Sequence, residues 1–308
     1  MREIATRLSR SRGAISEAVL GLQELGVARE VGVARPRRAG RPARSFDFCT
    51  DGALVVGVEI GSARSRVVVV DARGVVRVEQ DVARSGDVQG EDMIDHAELS
   101  RLLALAGVRM SRIRAIGIAV AFAADGRPRP DDLRKRDERL LEEQYGCPVL
   151  IDDTIRLAAI AEHNCGASSL FDDILQISVC DEVTPTLILE GKVRLPRHAR
   201  SHEGYTPVLS WRRNDRVDDV ARGLSTVVRA VDPGIVVITG AGEHTRALIA
   251  AMSRQFAVGM DAPLVAAVLG DMASTYGAAV SAFQRFSSAV NSYPALPAPR
   301  LVHARSHR

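Results

Sequence analysis

The order of elements predicts an α/β protein, with a small basic helical head before a two-lobed body. Three observations carry that expectation. Residues 2–25 hold two apolar stripes at helical spacing, with a polar break between them. Residues 53–82 hold three β-branched runs separated by turn residues, the pattern of an antiparallel meander. From there to residue 286, strand and helix patterns alternate, and the second half repeats the logic of the first.

In the head, Ile4, Ala5 and Leu8 form the first stripe, and Ser9, Arg10 and Ser11 interrupt it. Ile15, Val19, Leu22 and Leu25 then recur at steps of three and four, one face of an amphipathic helix that Gly26 ends. Helix, tight turn and helix are the parts of a helix-turn-helix. Its second helix would lie in the major groove and present Ser11, Arg12, Gly13, Ser16 and Glu17 to base edges and phosphates. Val27 to Val33 alternates as a short hairpin strand would. Arg35, Arg37, Arg38, Arg41 and Arg44 then crowd around Pro36, Gly40 and Pro42. Such a segment builds no core, but it can follow a phosphate backbone or lay an arginine into a narrow minor groove. Expected DNA contacts are therefore Arg10, Ser11, Arg12, Ser16, Arg37, Arg38, Arg41 and Arg44. The bland alternative is a surface helix pair followed by a solvated arginine linker.

Charge supports the first reading. Residues 1–46 hold ten arginines against four glutamates, a charge of +6, so the rest of the +3 chain carries −3. A basic head on a mildly acidic body is the asymmetry of a nucleic-acid binder. At 308 residues the chain exceeds one small domain. With 46% hydrophobic and 26% charged residues it reads as globular and soluble. No apolar run is long enough for a bilayer, and MREIATRL lacks a signal-peptide apolar region, so a cytoplasmic protein is expected. Cys49, Cys147, Cys165 and Cys180 are scattered without a CxxC pair, which argues against a disulfide framework or a zinc ribbon.

In the body, strands are expected at Ala53–Ile60, Arg66–Val70, Val75–Val82, Ile113–Val120, Val149–Ile151, Ile174–Val179, Val183–Leu189, Ile235–Thr239 and Leu264–Leu269. Helices are expected at Met93–Ala106, Asp131–Tyr145, Ile155–His163, Val217–Val231, Thr245–Phe256 and Met272–Phe286. Pro294 to Arg308, proline-rich and basic, reads as a disordered tail. Two related lobes would place a ligand in the cleft between them.

These stretches resemble the ROK family of bacterial repressors and sugar kinases. LSRSRGAISEAVLGLQELGVARE is similar to the helix-turn-helix and first wing strand of its repressor branch, which includes the xylose and N-acetylglucosamine repressors. AGRPAR is similar to the linker of that branch, and VVGVEIGSARSRVVVVD to the first phosphate hairpin. IRAIGIAV, CPVLIDDTIRLAAIAE, DPGIVVITG and YGAAVSAF follow in the family's order. The resemblance implies an N-terminal winged helix-turn-helix (residues 1–46, without its first helix), a two-lobed actin-like, ribonuclease H-like ROK domain (47–290), and a tail (291–308).

Departures from the family pattern bear on activity. The hairpin's Asp-x-Gly-x-Thr becomes Glu59, Gly61 and Ala63, which removes a hydroxyl expected at a phosphate. The glycine-rich second phosphate turn becomes Cys180-Asp181-Glu182-Val183-Thr184-Pro185, with two carboxylates and a proline where backbone donors should approach an anion. Gly240-Ala241-Gly242 remains, and reads most simply as a strand-to-helix turn. Asp153 matches the family's catalytic base, and Asp152 replaces an amide. His202 stands for a sugar-binding glutamate and Tyr205 for a zinc-binding histidine, and the cysteine-rich zinc loop is missing. The resemblance thus implies a DNA-binding regulator, most simply a repressor, with no kinase activity, no cofactor and no metal. Its expected partners are double-stranded DNA and a second copy, as homodimer or homotetramer, with no membrane. Asp152, Asp153, His202 and Glu203 are effector-binding candidates. The rival is an ATP-dependent hexose kinase.

Overall fold

The computed structural model describes residues 2–7, 9–24, 26–34, 43–49, 52–84, 94–121, 131–180, 182–194, 211–212, 215–257, 259, 261–289 and 298–303. Its N-terminal unit opens with helices α1 (Arg2–Arg7) and α2 (Arg12–Glu24). The Ser11 hydroxyl accepts the Ala14 N–H at 3.1 Å and so caps α2. At the other end Gly26 has φ of 68°, its N–H donates to the Gln23 carbonyl, and the Val27 N–H donates to Leu22. Those two bonds are the Schellman pair that a left-handed glycine permits. Ala5, Ile15 and Val19 bury one face together with Phe46. Strands β1 (Ala28–Ala34) and β2 (Ala43–Phe48) pair antiparallel, Ala28 opposite Phe48, with a bulge between Glu30 and Gly32. The expected arginine arm therefore ends earlier than its composition implies. Arg44 belongs to β2, opposite Val33, and pairs with Glu30 at 3.7 Å. Phe46 holds β2 against the helices. Arg37, Arg38 and Arg41 lie outside the described residues.

The first lobe contains β3 (Leu54–Ile60), β4 (Arg64–Asp71), β5 (Val75–Ala83), helix α3 (His96–Leu105), β6 (Ile113–Val120), α4 (Asp131–Tyr145) and β7 (Val149–Asp153). Helix α3 starts three residues later than expected, because the Asp95 carboxylate caps it through the Glu98 N–H at 3.0 Å. Helix α5 (Thr154–Cys165) follows β7 directly. The second lobe contains β8 (Ile174–Val179), β9 (Glu182–Leu189), β10 (Lys192–Arg194), β11 (Trp211–Arg212), α6 (Val217–Val231), β12 (Ile235–Gly240), α7 (Glu243–Phe256) and β13 (Leu264–Ala266). Helix α8 (Ala273–Ala289) and strand β14 (Val302–His303) complete the chain. The sheets run β14-β5-β4-β3-β6-β7 and β10-β9-β8-β12-β13, with β11 on β9. Each lobe joins an antiparallel hairpin side to a parallel side, as the repeated order of patterns predicts.

Helix α8 lies on the first sheet and against α5, and small residues make that possible. A methyl group at Gly57 or Gly117 would strike the backbone of Thr275 or Ala278, and one at Gly277 would strike Leu157 of α5. Ala119, Leu157 and Ala278 fill the same seam. Glu162 of α5, fully buried, accepts N–H bonds from Ala167, Val268 and Leu269 at 2.7–2.9 Å. That carboxylate explains why β13 stops at Ala266 rather than Leu269: the last two N–H groups turn toward α5. On the outer edge of β7, Glu138 and Glu142 of α4 accept the Ile151 and Val149 N–H groups at 2.9 and 3.1 Å. Side chains thus cover an edge that another strand could otherwise extend.

The disordered-tail expectation fails for Ala298–His303. β14 pairs parallel with β5, Leu301 is buried, and Asn164 of α5 binds the Pro299 carbonyl at 3.3 Å and the Leu301 N–H at 3.0 Å. Leu301 is the apolar anchor that proline-rich, basic composition conceals. Residues 290–297 and 304–308 lie outside the described ones.

The seam is testable. Gly117→Ala forces backbone apart and should lower unfolding free energy by about 1–3 kcal/mol or prevent folding. Gly21→Ala, in open space on α2, should instead stabilise by about 0.5–1 kcal/mol. Urea denaturation of both variants checks the contrast.

Candidate nucleic-acid interface and interlobe site

In the head, the start of α2 is exposed at Arg10, Ser11, Arg12 and Gly13, with Ser16 half-buried one turn later. The structure therefore brings Arg10, Ser11, Arg12 and Ser16 to one helix end. Ser11 is partly committed, since its hydroxyl already serves as the cap. Arg10 and Arg12 are exposed, and among the described residues neither makes an ion pair. The head is seated on the body rather than strung from it. Leu22 and Val27 pack with Ala53, Val55, Ala115 and Phe286, and the Cys49 N–H donates to the Val27 carbonyl at 2.7 Å.

On the first sheet, the acid of the first hairpin is engaged by the protein itself. Glu59 Oε2 receives Arg66 Nη1 at 3.1 Å, Ser274 Oγ at 2.7 Å and Thr275 Oγ1 at 3.4 Å. Both charged side chains are largely buried, Arg66 being 12% and Glu59 15% exposed. Arg66 also meets Asp81 at 3.3 Å and Asp271 at 3.5 Å. Burial works against the Arg66 charge, but Glu59, Asp81 and Asp271 outweigh it and hold its pKa above the ordinary value. Asp81 is lowered in turn: slight burial opposes its charge, and bonds from Arg64 and Arg66 overcome that. The turn itself is tied down. The Gly61 N–H donates to Arg64, Arg84 Nη1 donates to the Gly61 carbonyl, and the Arg84 N–H donates to the Ala63 carbonyl, each at 3.0 Å. Sequence reasoning singled out Glu59, Gly61 and Ala63 but missed Arg66. A charged residue inside a β-branched run reads as the solvent side of a strand. Its acidic partners lie on β3, on β5 and just before α8, too far apart in sequence to signal a cluster.

The two adjacent aspartates have different surroundings, as the alternation of a strand predicts. Asp152 is half-buried and pairs with Arg156. Asp153 is 8% exposed and caps α5, accepting the Ile155 and Arg156 N–H groups at 2.8 and 3.3 Å. Burial raises the Asp153 pKa, against the pull of Arg156 and those N–H bonds, with Asp152 adding to the rise. His202 and Glu203 lie outside the described residues.

The second turn closes tightly, with the Cys180 N–H on the Glu182 carbonyl at 3.1 Å. Pro185 sits where β9 has no outer neighbour among the described residues, so its missing N–H costs no ladder bond. Gly240 and Gly242 take φ of 142° and 87° in a strand-to-helix turn. Burial pushes the thiols of Cys147 and Cys165 up to about 11, which makes them unreactive at neutral pH. Among the described residues, no helix is long and apolar enough to cross a membrane.

Fold comparison defines the class of body: the two-lobed, actin-like α/β fold of ROK proteins, regulator and kinases alike. A ROK family transcriptional regulator, homolog of the E. coli MLC protein, superposes with a TM-score of 0.58 at 15% identity, covering 89% of this chain and 89% of that one. The ROK hexokinase from Thermus thermophilus gives 0.56 at 24% identity, covering 75% of this chain and 98% of that one. A ROK family glucokinase from Streptomyces griseus, in complex with glucose and AMPPNP, gives 0.53 at 19% identity, covering 75% and 99%. No family model matches the chain, and no curated protein matches it in sequence.

Two variants test the interlobe assignments. Arg66→Ala leaves Glu59 as a buried unpaired charge and should cost about 3 kcal/mol in urea denaturation, more than Glu59→Gln, because Arg66 would keep Asp81 and Asp271. Asp153→Asn keeps a competent cap without the buried charge. The folded pKa of Asp153 is raised, so its ionisation opposes folding once pH passes above the ordinary carboxylate value of 3.8. The variant should therefore melt higher than the parent at neutral pH, and the gap should close as pH falls toward that value.

Proposed function

We propose that the chain is a DNA-binding transcriptional regulator of the ROK family, acting as a repressor, whose body assembles subunits and senses an effector without transferring phosphoryl groups. The observation that carries this reading is the N-terminal unit. Two helices, joined by a tight turn and followed by an antiparallel hairpin, form a capped assembly with its own small core. It bears a charge of +6 over residues 1–46. We read it as a winged helix-turn-helix whose α2 enters the major groove, with Arg10, Ser11, Arg12 and Ser16 at the duplex. Arg37, Arg38 and Arg41 supply a phosphate or minor-groove arm, and Arg44 stands on the wing strand. Coverage supports this reading: the regulator spans 89% of the chain, while the two kinases span 75%.

In this reading residues 1–46 are the DNA-binding domain and 47–290 the body, which would pair into a homodimer or homotetramer to read repeated half-sites. Asp152 and Asp153, with His202 and Glu203, would frame an effector whose binding shifts the DNA-competent population. The protein would work in the cytoplasm. Kinase chemistry would need a nucleotide and a divalent metal beside the first hairpin. The residues there do not fit that need, since Glu59 already holds Arg66, Ser274 and Thr275.

One observation favours the rival, an ATP-dependent hexose kinase. Asp153 stands at the N-terminus of α5 with a raised pKa, as a base for a sugar hydroxyl would. Two experiments separate the readings. Duplex DNA affinity should fall steeply with salt, on the order of a thousandfold between 50 and 200 mM, as counterions return to the phosphates. Arg41→Ala should weaken AT-rich sites most. Calorimetry with ATP and magnesium should give no saturating isotherm, and a coupled assay over a sugar panel no ATP consumption. Salt-independent DNA affinity, or sugar-dependent turnover, would reverse the assignment.

A further inference from the structure

A second cluster of cations lies on the body, beside β7. Between α4 and the C-terminal half of α8 is an open cleft of about 610 Å³, lined by Arg134, Lys135 and Arg139 of α4 and Arg285 of α8. Glu138 and Glu142 also line it, but both carboxylates are already engaged. Glu138 binds the Ile151 N–H and Arg134, and Glu142 binds the Val149 N–H and Arg285. Lys135 and Arg139 remain, exposed and with no ion pair recorded among the described residues. One helical turn separates them, so they share a face. Glu143 is exposed one turn beyond Arg139, but the cleft lining itself holds four cations against two engaged carboxylates, and that excess favours an incoming anion.

This surface continues toward the head. The parallel strands β3 and β6 begin side by side, Leu54 opposite Ile113. At that end Leu22 and Val27 of the head meet Ala53, Ala115 and Phe286. Arg285 is the neighbour of Phe286 in α8. Arg109 and Arg112, both exposed and with no ion pair recorded among the described residues, stand just before β6 at the same end. Arg109, Arg112 and Arg285 thus stand near the head's seat, and Arg285 also lines the cleft of α4.

We propose that this flank is a phosphate-binding surface that continues the head's contact along the DNA, with Lys135 and Arg139 holding backbone phosphates outside the base pairs that α2 reads. The proposal rests on the reading of the chain as a DNA-binding protein. An open cleft with cations spread along it fits the regular charge of a duplex, whereas a small anion would need an enclosed site. Such contacts carry affinity without base preference.

The test is duplex binding by the full chain over a salt series, comparing the parent, Arg12→Ala, and the double variant Lys135→Ala/Arg139→Ala. The double variant should bind about tenfold more weakly at low salt. Its slope of log affinity on log salt should be shallower by about 2, one phosphate for each lost cation. Its order of preference among sequences and its melting temperature should stay those of the parent. Trimming the duplex flanks should weaken the parent and leave the double variant unchanged. If the parent binds DNA and Arg12→Ala abolishes it, but the double variant matches the parent in affinity and slope, the flank proposal is wrong and the regulator reading stands. If the parent binds no DNA at any salt, both are wrong. If millimolar pyrophosphate stabilises the parent but not the double variant, with equal DNA affinity, the cleft serves a small anion and the flank proposal is overturned.

Discussion

Helix α8 can sit against the first sheet only because β3 and β6 offer it glycines. Gly57 and Gly117 let the backbone of α8 approach that of the strands, and Gly277 lets α5 approach α8 from the other side. Four chain segments, β3, β6, α5 and α8, meet backbone to backbone, and much of the remaining structure follows from that approach. It carries Ser274 and Thr275 onto Glu59. It also sets Ala282 and Phe286 under Leu22 and Val27, so the same helix touches the interlobe acid at one end and the head's seat at the other.

That arrangement gives the interlobe polar groups structural work. Glu59 neutralises Arg66, Asp153 caps α5, and Glu162 gathers three N–H groups from two loops. A buried carboxylate without such partners would carry a heavy desolvation cost; Glu59 and Glu162 have theirs, while at Asp153 burial still outweighs the contacts that favour its charge. In the proposed regulator, the body's contribution is then a rigid platform. The head rests on it through apolar contacts, so a change in the body has a direct mechanical path to α2.

Much of this architecture was legible from residue patterns. β-branched runs ending in turn residues located β3 to β6, and the three- and four-residue apolar steps located α2 and α6. Gly26 was recognisable as a helix stop because only a left-handed residue closes that pair of bonds. Positions set by distant partners were not legible. β2 was hidden because the arginine-rich run before it extends to its own Arg44, while Phe46 shows the inward face. β14 was hidden because Leu301 and Asn164 become partners only after folding. Arg66 looked like a solvent-facing strand residue until β5 and the turn before α8 brought acids to it. At the candidate site, sequence identified the aspartates and the hairpin glycine. It could not show that Asp153 would be buried as a cap, or that Ser11 would spend its hydroxyl on the Ala14 N–H.

The central claim is that the head reads DNA from this platform. Its most direct test is recovery of sheared genomic DNA on the purified full chain, followed by sequencing of what is retained. The account predicts a few strongly enriched loci with paired half-sites spaced by whole helical turns, and their loss in Arg12→Ala. Recovery that follows fragment length alone, or enrichment that survives Arg12→Ala unchanged, would contradict it.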